Sequence, residues 1–366
     1  MAIATSTRTV SEILGRAVQG QRITDDDALV LLASRDLVSI GQAADQLRNS
    51  KVEPGEVTFI VDRNINYSNV CVTDCDFCAF YRRPGDVKEG YTLPKGVIFK
   101  KIAETLAIGG TGVLMQGGHN PDLGIDWYED LFRSIKERYK IHLHALSPPE
   151  IQFIARRSKL SVPTVLSRLR DAGLDSLPGG GGEILVDRVR HIIAPKKTKS
   201  DDWLGVMRHA HRLGISTSAT MMYGHVETVA ERVEHLRRIR DLQDEAPGFR
   251  AFISWTFQPD NTRLGEQVTE TPTSFDYLLT QAVSRIYLDN VDHIQSSWVT
   301  QGLKIGQVAL GFGADDMGSV MIEENVVSAA GTTHRTSTEE LVHLIRSLGK
   351  IPVQRDTLYR DVKVWD

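Results

Sequence analysis

The chain is poor in cysteine, in net charge and in long apolar runs, and each shortage excludes a class of protein. Three cysteines among 366 residues are too few, and odd in number, for a secreted disulfide scaffold. The most apolar long window, 97–115, contains Lys100, Lys101 and Glu104, so no segment is predicted to span a membrane. The net charge of −4, from 43 basic and 47 acidic residues, offers no polybasic surface for nucleic acid. The first 16 residues lack the continuous apolar stretch of a secretory signal, so we expect a cytoplasmic protein.

What the chain does have is the composition of a globular protein. It is 41% apolar and 25% charged, so its 366 residues can bury a substantial core. From about residue 57, short apolar or β-branched runs alternate with amphipathic helical stretches, which is typical of an α/β protein with a parallel sheet. Small or polar residues return after each predicted strand, which favours a barrel with its site at the carboxyl ends of the strands.

The pattern predicts one domain with terminal extensions, because no Pro-, Ser- or Gly-rich linker divides the chain. The predicted strands are 58–62, 65–70, 112–116, 141–146, 174–177, 184–186, 215–222, 252–257 and 293–298. The predicted helices are 96–108, 126–139, 148–157, 162–172, 201–213, 227–243 and 272–288, with two more before residue 50, one of them capped at Thr24. We therefore expect a helical N-terminal extension over 1–50, a barrel over 51–300 and a C-terminal extension over 301–366 that packs on the barrel.

All three cysteines lie on one short segment, as Cys71, Cys75 and Cys78 in a C-x3-C-x2-C run. Three thiolates so placed suit a cubane iron–sulfur cluster, because they bind three irons and leave the fourth open to a small molecule with an amine and a carboxylate. A structural zinc ion usually takes four protein ligands, and Asp74 and Asp76 are the nearby candidates for the fourth. Three buried cysteines that act as small apolar residues are the remaining interpretation, which their clustering disfavours.

Two glycine-rich segments follow predicted strands and could lie against a ligand. Gln116-Gly117-Gly118 ends an apolar strand, where glycine lets the backbone approach a ligand closely, although the segment could also be an ordinary turn. Residues 179–182 are four glycines followed by Glu183, a candidate acceptor for ribose hydroxyls or a candidate base. A flexible connector with a surface carboxylate is the alternative for this second segment.

Other polar residues near predicted strand ends also have structural interpretations. His225 lies just beyond a predicted strand, and a single histidine is more often a hydrogen-bonded core residue than a catalyst. Asp315 and Asp316 lie in a glycine-rich segment, where paired carboxylates suit recognition of vicinal hydroxyls. Acidic residues are also favoured at the start of a helix, which would explain the same pattern.

The cysteine run resembles that of the radical S-adenosylmethionine (SAM) enzymes, since Phe77 precedes the last cysteine. The resemblance implies a TIM-like (β/α) barrel with a six-stranded core that can extend to eight strands. It also implies a 4Fe-4S cluster on Cys71, Cys75 and Cys78, with SAM as the second cofactor. Further cofactor-binding residues implied by it are Phe77, Gln116, Gly117, Gly118, Ser147 and Glu183. One departure is that this chain has Gly-Gly-His at 117–119, where the superfamily usually has Gly-Gly-Glu.

Five longer segments are similar to one branch of these enzymes. They are 64–71, 144–150, 178–183, 252–262 and 311–325. The branch contains aminofutalosine synthase, the two halves of the deazaflavin (FO) synthase and cyclic dehypoxanthine futalosine synthase, and segments 255–262 and 147–150 are most similar to the last of these. At Asp315 the branch is expected to have asparagine.

The branch implies a reaction on a small molecule from the futalosine route to menaquinone. A hydrogen atom leaves the ribose 4′ carbon of dehypoxanthine futalosine, the carbon radical adds to the benzoate ring, and the ring then loses an electron and a proton. Candidate bases are Glu183, His225 and Tyr67, and candidate substrate-binding residues are Asp315 and Asp316. An electron donor such as flavodoxin or ferredoxin is implied as a partner. The alternatives are a sibling radical SAM activity, namely aminofutalosine synthase or an FO synthase-like enzyme, and a non-enzymatic iron–sulfur or zinc protein.

Overall fold

The computed structural model describes residues 7–365, which form a parallel sheet surrounded by helices. The strands are β1 (Glu56–Ile60), β2 (Asp62–Asn66), β3 (Gly112–Gln116), β4 (His142–Ala145), β5 (Ser176–Leu177), β6 (Ser216–Tyr223), β7 (Phe249–Thr256), β8 (His293–Gln295), β9 (Asp316–Ser319), β10 (Ile351–Arg355) and β11 (Asp361–Val364). The helices are α1 (Val10–Val18), α2 (Asp25–Leu32), α3 (Leu37–Asn49), α4 (Lys95–Ala107), α5 (Ile125–Arg138), α6 (Pro148–Ser158), α7 (Val162–Ala172), α8 (Asp187–Ile193), α9 (Ser200–Arg212), α10 (Val229–Glu245), α11 (Ser274–Tyr287), α12 (Trp298–Gln301), α13 (Leu303–Val308), α14 (Val326–Ala329) and α15 (Thr338–Arg346).

The sheet curls into a barrel because β1 and β2 are two halves of one extended segment. The strand order is β11-β10-β1-β9-β8-β7-β6-β5-β4-β3-β2, and only Val61 separates β1 from β2. The amide of Thr111, next to β3, donates to Val61 O at 3.1 Å, and the amide of Val320, next to β9, donates to Ile60 O at 3.0 Å. Neighbouring strands therefore flank this segment on both sides. Together with β3 to β9, the segment forms a barrel of eight parallel strands. The predicted barrel is confirmed, with the larger of the two expected strand numbers.

The C-terminal hairpin lies at the amino-terminal end of the barrel. β10 pairs in parallel with β1, and β11 pairs antiparallel with β10. Arg355, Thr357 and Tyr359 from this hairpin line the barrel interior, so they form its floor. β9 lies within the ring itself, between β8 and β1. The division at residue 300 stays a prediction, and three strands beyond it belong to the same sheet.

Capped amphipathic helices account for the outer layer. Thr24, Thr228 and Thr273 each form a capping box with the acidic residue three positions later. The apolar faces of the helices pack on the outside of the sheet in one large buried cluster, and a second cluster lies between β1, β9 and α15. Across residues 7–365, no helix is both long and apolar enough to cross a membrane. Residues 1–6 of the expected N-terminal extension lie outside the described part.

One predicted strand, 184–186, is wrong. Glu183 adopts a positive φ of 32°, which interrupts an extended run, and α8 begins at Asp187. The amide of Leu185 donates to the His235 ring at 3.0 Å instead of to a neighbouring strand. The apolar run is buried as predicted, but it connects β5 to α8.

Candidate active site

The barrel interior is a cavity of about 340 Å³ whose wall combines apolar side chains with polar ones from several strands. Because side chains alternate along a strand, one residue in two faces inward. Asn64, His144, Ser218 and Gln295 come from four different strands and line this wall. At the carboxyl ends of the strands the lining continues with Gln116, residues 179–181 and Glu183. A cavity of this size and depth suits a small molecule.

The three cysteines follow β2 at the same end of the barrel. The amide of Cys71 donates to Arg82 O at 2.8 Å, and that of Asp76 donates to Ile193 O at 2.9 Å, so both ends of the loop are held. All three thiols are free, and burial raises the pKa of Cys75 to about 12 and raises that of Cys78. A bound cation is what would favour the thiolates here, so loading this loop with metal should release protons.

The ligand set fits a cluster better than a single ion. Within the described ranges, no three His, Cys, Asp or Glu side chains converge closely enough to hold one metal ion. A cubane does not require such convergence, because each thiolate binds a different iron. Asp74 and Asp76, the candidate fourth ligands for zinc, are ion-paired with Arg263, whose nitrogens lie 2.7 and 2.5 Å from their carboxylates.

The Gly117-Gly118 turn packs directly against the cysteine loop. A Cβ at Gly118 would overlap Val70 O and lie 2.9 Å from Cys71 Cβ, and a Cβ at Gly117 would lie 2.6 Å from the Tyr67 ring. The structure therefore requires glycine at both positions for steric reasons. The side chain of Gln116 extends toward the 179–182 segment, where a Cβ at Gly180 would overlap its amide.

The glycine run at 179–182 is held in place rather than being a flexible connector. Buried Arg190 donates to Gly181 O at 3.0 Å and to Gly182 O at 2.9 Å, and Trp203 Nε1 donates to Gly180 O at 3.2 Å. A Cβ at any of the four glycines would clash with neighbouring atoms, mostly with β6, its side chains or Pro149. The run thus lies flat against the barrel rim and leads into Glu183.

Glu183 and Phe77 meet through a residue that the sequence interpretation missed, Lys197. Lys197 Nζ donates to Glu183 Oε1 at 3.0 Å and lies 4.9 Å from the centroid of the Phe77 ring. The charges of Glu183 and Cys75 raise the pKa of Lys197 above its ordinary value although burial opposes them. Arg190 lies 3.5 Å from the other Glu183 oxygen, so this buried carboxylate has two cationic partners.

Tyr67 and Ser147 lie behind the cavity wall, where both bond to Glu150. Tyr67 is fully buried, its hydroxyl donates to Glu150 Oε1 at 2.7 Å, and burial raises its pKa well above 10. Ser147 caps α6 and donates to Glu150 Oε2 at 2.5 Å. Neither residue lines the cavity.

His225 has both ring nitrogens engaged and also lies outside the cavity lining. Its Nε2 lies 3.1 Å from Met222 O, and its Nδ1 accepts from the Val226 amide at 2.8 Å. Glu227 Oε2 lies 3.1 Å from Nδ1 as well, and burial lowers the pKa of His225 although the charge of Glu227 opposes this. The charge of Glu183 acts on this ring, but of the two residues only Glu183 lines the cavity.

Asp315 and Asp316 lie at the opposite end of the barrel from the cysteines, at the start of β9. Asp315 is 2% exposed and pairs with Arg285 and with His293 Nδ1 at 2.7 Å, and these groups hold its pKa below the usual range. Asp316 is fully buried and accepts from Arg355 Nη2 at 2.8 Å and from Thr58 Oγ1 at 2.5 Å. Both carboxylates are occupied by ion pairs that join the C-terminal strands to the ring, and neither lines the cavity.

Comparison with known protein families and solved structures agrees with this site. The family pattern described as Radical SAM superfamily matches residues 65–239, and the one described as CofH/MqnC C-terminal region matches residues 246–365. The chain belongs to the radical SAM superfamily, in the branch whose members carry the CofH/MqnC C-terminal region. It therefore shares the superfamily's cofactors, a 4Fe-4S cluster and SAM.

The relatives are similar over nearly their full length. Cyclic dehypoxanthine futalosine synthase of Halalkalibacterium halodurans is 49% identical over 98% of this chain and 96% of its own, and that of Streptomyces coelicolor is 47% identical over 97% and 89%. A 5-amino-6-(D-ribitylamino)uracil–L-tyrosine 4-hydroxyphenyl transferase of Methanococcoides burtonii is 42% identical over 96% and 99%. Among solved structures, methylornithine synthase shares the fold, with a TM-score of 0.70 at 18% identity over 92% of this chain and 95% of its own.

Proposed function

We propose that this chain is a radical SAM cyclase that converts dehypoxanthine futalosine to cyclic dehypoxanthine futalosine. The observation that carries the proposal is the 47–49% identity, over nearly the whole chain, to two enzymes of that name. The cavity supports it, since Gln116, the 179–181 segment and Glu183 line its end at the carboxyl termini of the strands, and the turn that follows Gln116 packs against the cysteine loop.

The residues that would hold the cofactors are those around this end of the barrel. Cys71, Cys75 and Cys78 would bind three irons, and Gln116 to Gly118 with Phe77 and Glu183 would surround SAM. When bound, these cofactors supply a one-electron cleavage that yields a radical able to remove a hydrogen atom. Overall, the substrate forms one carbon–carbon bond and loses two hydrogens. The first leaves as a hydrogen atom, and the second leaves as a proton and a separate electron. That electron balances the one supplied for the cleavage of SAM.

Glu183 is the proton acceptor we favour among the three candidates. It lines the cavity, whereas Tyr67 and His225 do not and have their polar atoms engaged elsewhere. Lys197 and Arg190 lie 3.0 and 3.5 Å from its two oxygens and fix its orientation at the rim. At saturating SAM, Glu183→Gln should lower the ratio of cyclised product to cleaved SAM at least about 100-fold. Tyr67→Phe should retain the ratio of product to cleaved SAM.

The test is anaerobic reconstitution with iron and sulfide, reduction, and incubation with SAM and dehypoxanthine futalosine, read by mass spectrometry. We expect 5′-deoxyadenosine, methionine and a product two hydrogens lighter than the substrate. Cleavage of SAM without that product would overturn the substrate, and parallel incubations with the aminofutalosine synthase substrate and with 5-amino-6-(D-ribitylamino)uracil plus tyrosine would identify a sibling activity. Absence of both cluster and cleavage would overturn the radical chemistry altogether.

The electron donor we propose is an acidic one-electron carrier protein such as flavodoxin or ferredoxin. A surface pocket beside the cysteine loop is lined by Arg156, Arg157 and Lys196 around Val72 and Thr73. Arg156 and Arg157 form no ion pair with an acid of residues 7–365, and the Thr73 amide donates to Cys71 Sγ at 3.4 Å. These basic residues surround exposed Val72 close to the Cys71 thiol. Such a surface suits a small, transient contact with an acidic carrier protein, in which opposite charges guide the approach.

Charge reversal tests this surface. Arg156→Glu should lower turnover driven by the carrier protein and leave turnover driven by dithionite unchanged, because a chemical reductant needs no docking. Lys100→Glu reverses the charge of another exposed residue, on α4, and as the control should alter neither rate. Equal carrier-driven rates in the two variants would place the docking surface elsewhere.

A further inference from the structure

Glu150 is a buried carboxylate that bonds to the ends of three neighbouring strands. It is 4% exposed and lies in the first turn of α6. Its Oε1 accepts from the Tyr67 hydroxyl at 2.7 Å and from the Gly117 amide at 3.0 Å, and its Oε2 accepts from Ser147 Oγ at 2.5 Å. Tyr67 directly follows β2, Gly117 directly follows β3, and Ser147 lies two residues beyond β4.

These bonds determine how the Gly117-Gly118 turn is presented to the cavity. The Gly117 amide is directed at Glu150, and the Gly118 amide donates to Ser68 O at 2.8 Å. With both amides directed away from the cavity, the orientation of each peptide plane of the turn is determined. Glycine has the largest conformational freedom of any residue, so two adjacent glycines need such external bonds to keep one shape.

We propose that Glu150 is a positioning residue that holds the Gln116–Gly118 turn in its SAM-binding shape through the Gly117 amide. It touches neither the cavity nor a cysteine, so it acts through the backbone that it holds. This inference rests on the proposed radical SAM function, since the turn has a cofactor to bind only in that case.

The charge of Glu150 gives the proposal a pH signature. Burial raises the pKa of Glu150 to about 7, although the bonds from Ser147, Tyr67 and Gly117 and the charge of Lys197 oppose this. The other titratable groups that face it are Tyr67 and Tyr128, whose pKa values are raised above 10, and Lys197, whose pKa is raised above 10.5. Of this set, only Glu150 changes charge near neutral pH.

The ionised carboxylate is the form that suits its three donors. Below pH 7 the acid carries a proton of its own, which must be directed at one of those donors and weakens that bond. The affinity for SAM should therefore fall as the pH is lowered through about 7, and this fall should depend on Glu150.

Glu150→Gln tests the proposal, because glutamine keeps the shape of the side chain and removes the charge. The affinity of the reconstituted protein for SAM is measured by calorimetry without substrate, between pH 6 and pH 8.5. We expect Kd to rise about tenfold in the variant at pH 8, and the two proteins to converge at pH 6. SAM's own titration is common to both proteins and cancels in the comparison.

Glu129→Gln is the matched control. Glu129 is another buried carboxylate, 6% exposed on α5, and it pairs with Arg168 of α7 instead of with the turn. Its loss should lower thermal stability without changing Kd or its pH dependence. If Glu150→Gln binds SAM with the wild-type Kd and pH profile, the positioning role is overturned. If the wild type itself takes up no cluster and no SAM, the proposed function fails instead.

Discussion

At the scale of single residues, Gly118 is a position where one added methyl group should disturb the cysteine loop. A Cβ there would overlap Val70 O and press on Cys71 Cβ at 2.9 Å. Gly118→Ala should therefore displace the cysteine loop and lower the iron content after reconstitution to less than about half, given the cost of such overlap. Iron analysis and the visible absorbance of the cluster measure this.

Gly205→Ala provides the control for that substitution. Gly205 lies within α9, and a Cβ there meets no atom within 4 Å. Alanine is favoured over glycine in a helix by about 0.5–1 kcal/mol, so this variant should be as stable as the wild type or more so, with full iron content. Normal iron content in Gly118→Ala would show that the turn can move away from the loop.

Asp62 should make the stability of the protein depend on pH. It faces the barrel cavity beside Ser319, and burial raises its pKa to about 6 against an ordinary value of 3.8. The folded state thus binds the extra proton between about pH 4 and pH 6, and the free energy of unfolding falls as the pH rises through that window, by up to about 3 kcal/mol. Asp62→Asn should remove this part of the slope, as measured by urea unfolding at pH 4.5 and 7. Identical slopes in the two proteins would contradict it.

How far the site can be predicted from the sequence depends on how local its residues are. The three cysteines, Gly117-Gly118 and the 179–183 segment each form a compact pattern, and the structure gathers them at one end of the barrel. The roles of Lys197 and Glu150 are not predictable from the sequence, because Lys197 contacts Glu183 across a loop and the spacing of Ser147 and Glu150 indicates only a helix start, not the bond to Gly117. Tyr67 and His225 were chosen by residue type alone, and type does not tell whether a side chain faces the cavity.

At the scale of elements, the amphipathic helices were predicted well and the last strands were not predicted. Helices α4 to α7, α9 and α11 agree with the predicted spans within one or two residues, because each has a buried apolar face, and α6, α7 and α11 also have a side-chain cap at the start. β9, β10 and β11 contain only four or five residues each, and β9 reads Asp-Met-Gly-Ser. A strand with an acid, a glycine and a serine carries no strand signal, since its conformation comes from its neighbours in the ring.

The attachment of β10 to β9 and β1 should depend on one ion pair. Arg355 of β10 donates to Asp316 of β9, which is fully buried and also accepts from Thr58 of β1. Arg355→Met leaves that carboxylate without its cation and should cost about 3–5 kcal/mol in urea unfolding. Arg355→Met combined with Asp316→Asn should cost clearly less than the sum of the single changes, and strict additivity would show that the two residues do not act as a pair.

At the scale of the whole molecule, the barrel is complete only with the residues beyond 300. β9 is the strand of the barrel between β8 and β1, and the β10–β11 hairpin closes the amino-terminal end of the barrel interior. A chain of residues 1–300 lacks both, so the apolar side of β1 and the inner wall would be open to water. We expect this fragment to lose its near-ultraviolet circular dichroism and its cooperative unfolding transition. A sharp transition in the fragment would instead support a self-sufficient barrel that ends at residue 300.

The double pairing of the 56–66 segment also orders events in time. The hydrogen bond between Thr58 and Asp316 can form only after Asp316 has been synthesised, and Asp316 lies 258 residues further along the chain. At about 5–20 residues per second, a ribosome needs roughly 10–50 seconds to make that stretch. The thiols at 71–78 therefore leave the ribosome long before the barrel can close. During that interval, their exposure to iron donors or oxidants depends on the rate of translation and not on the folded structure.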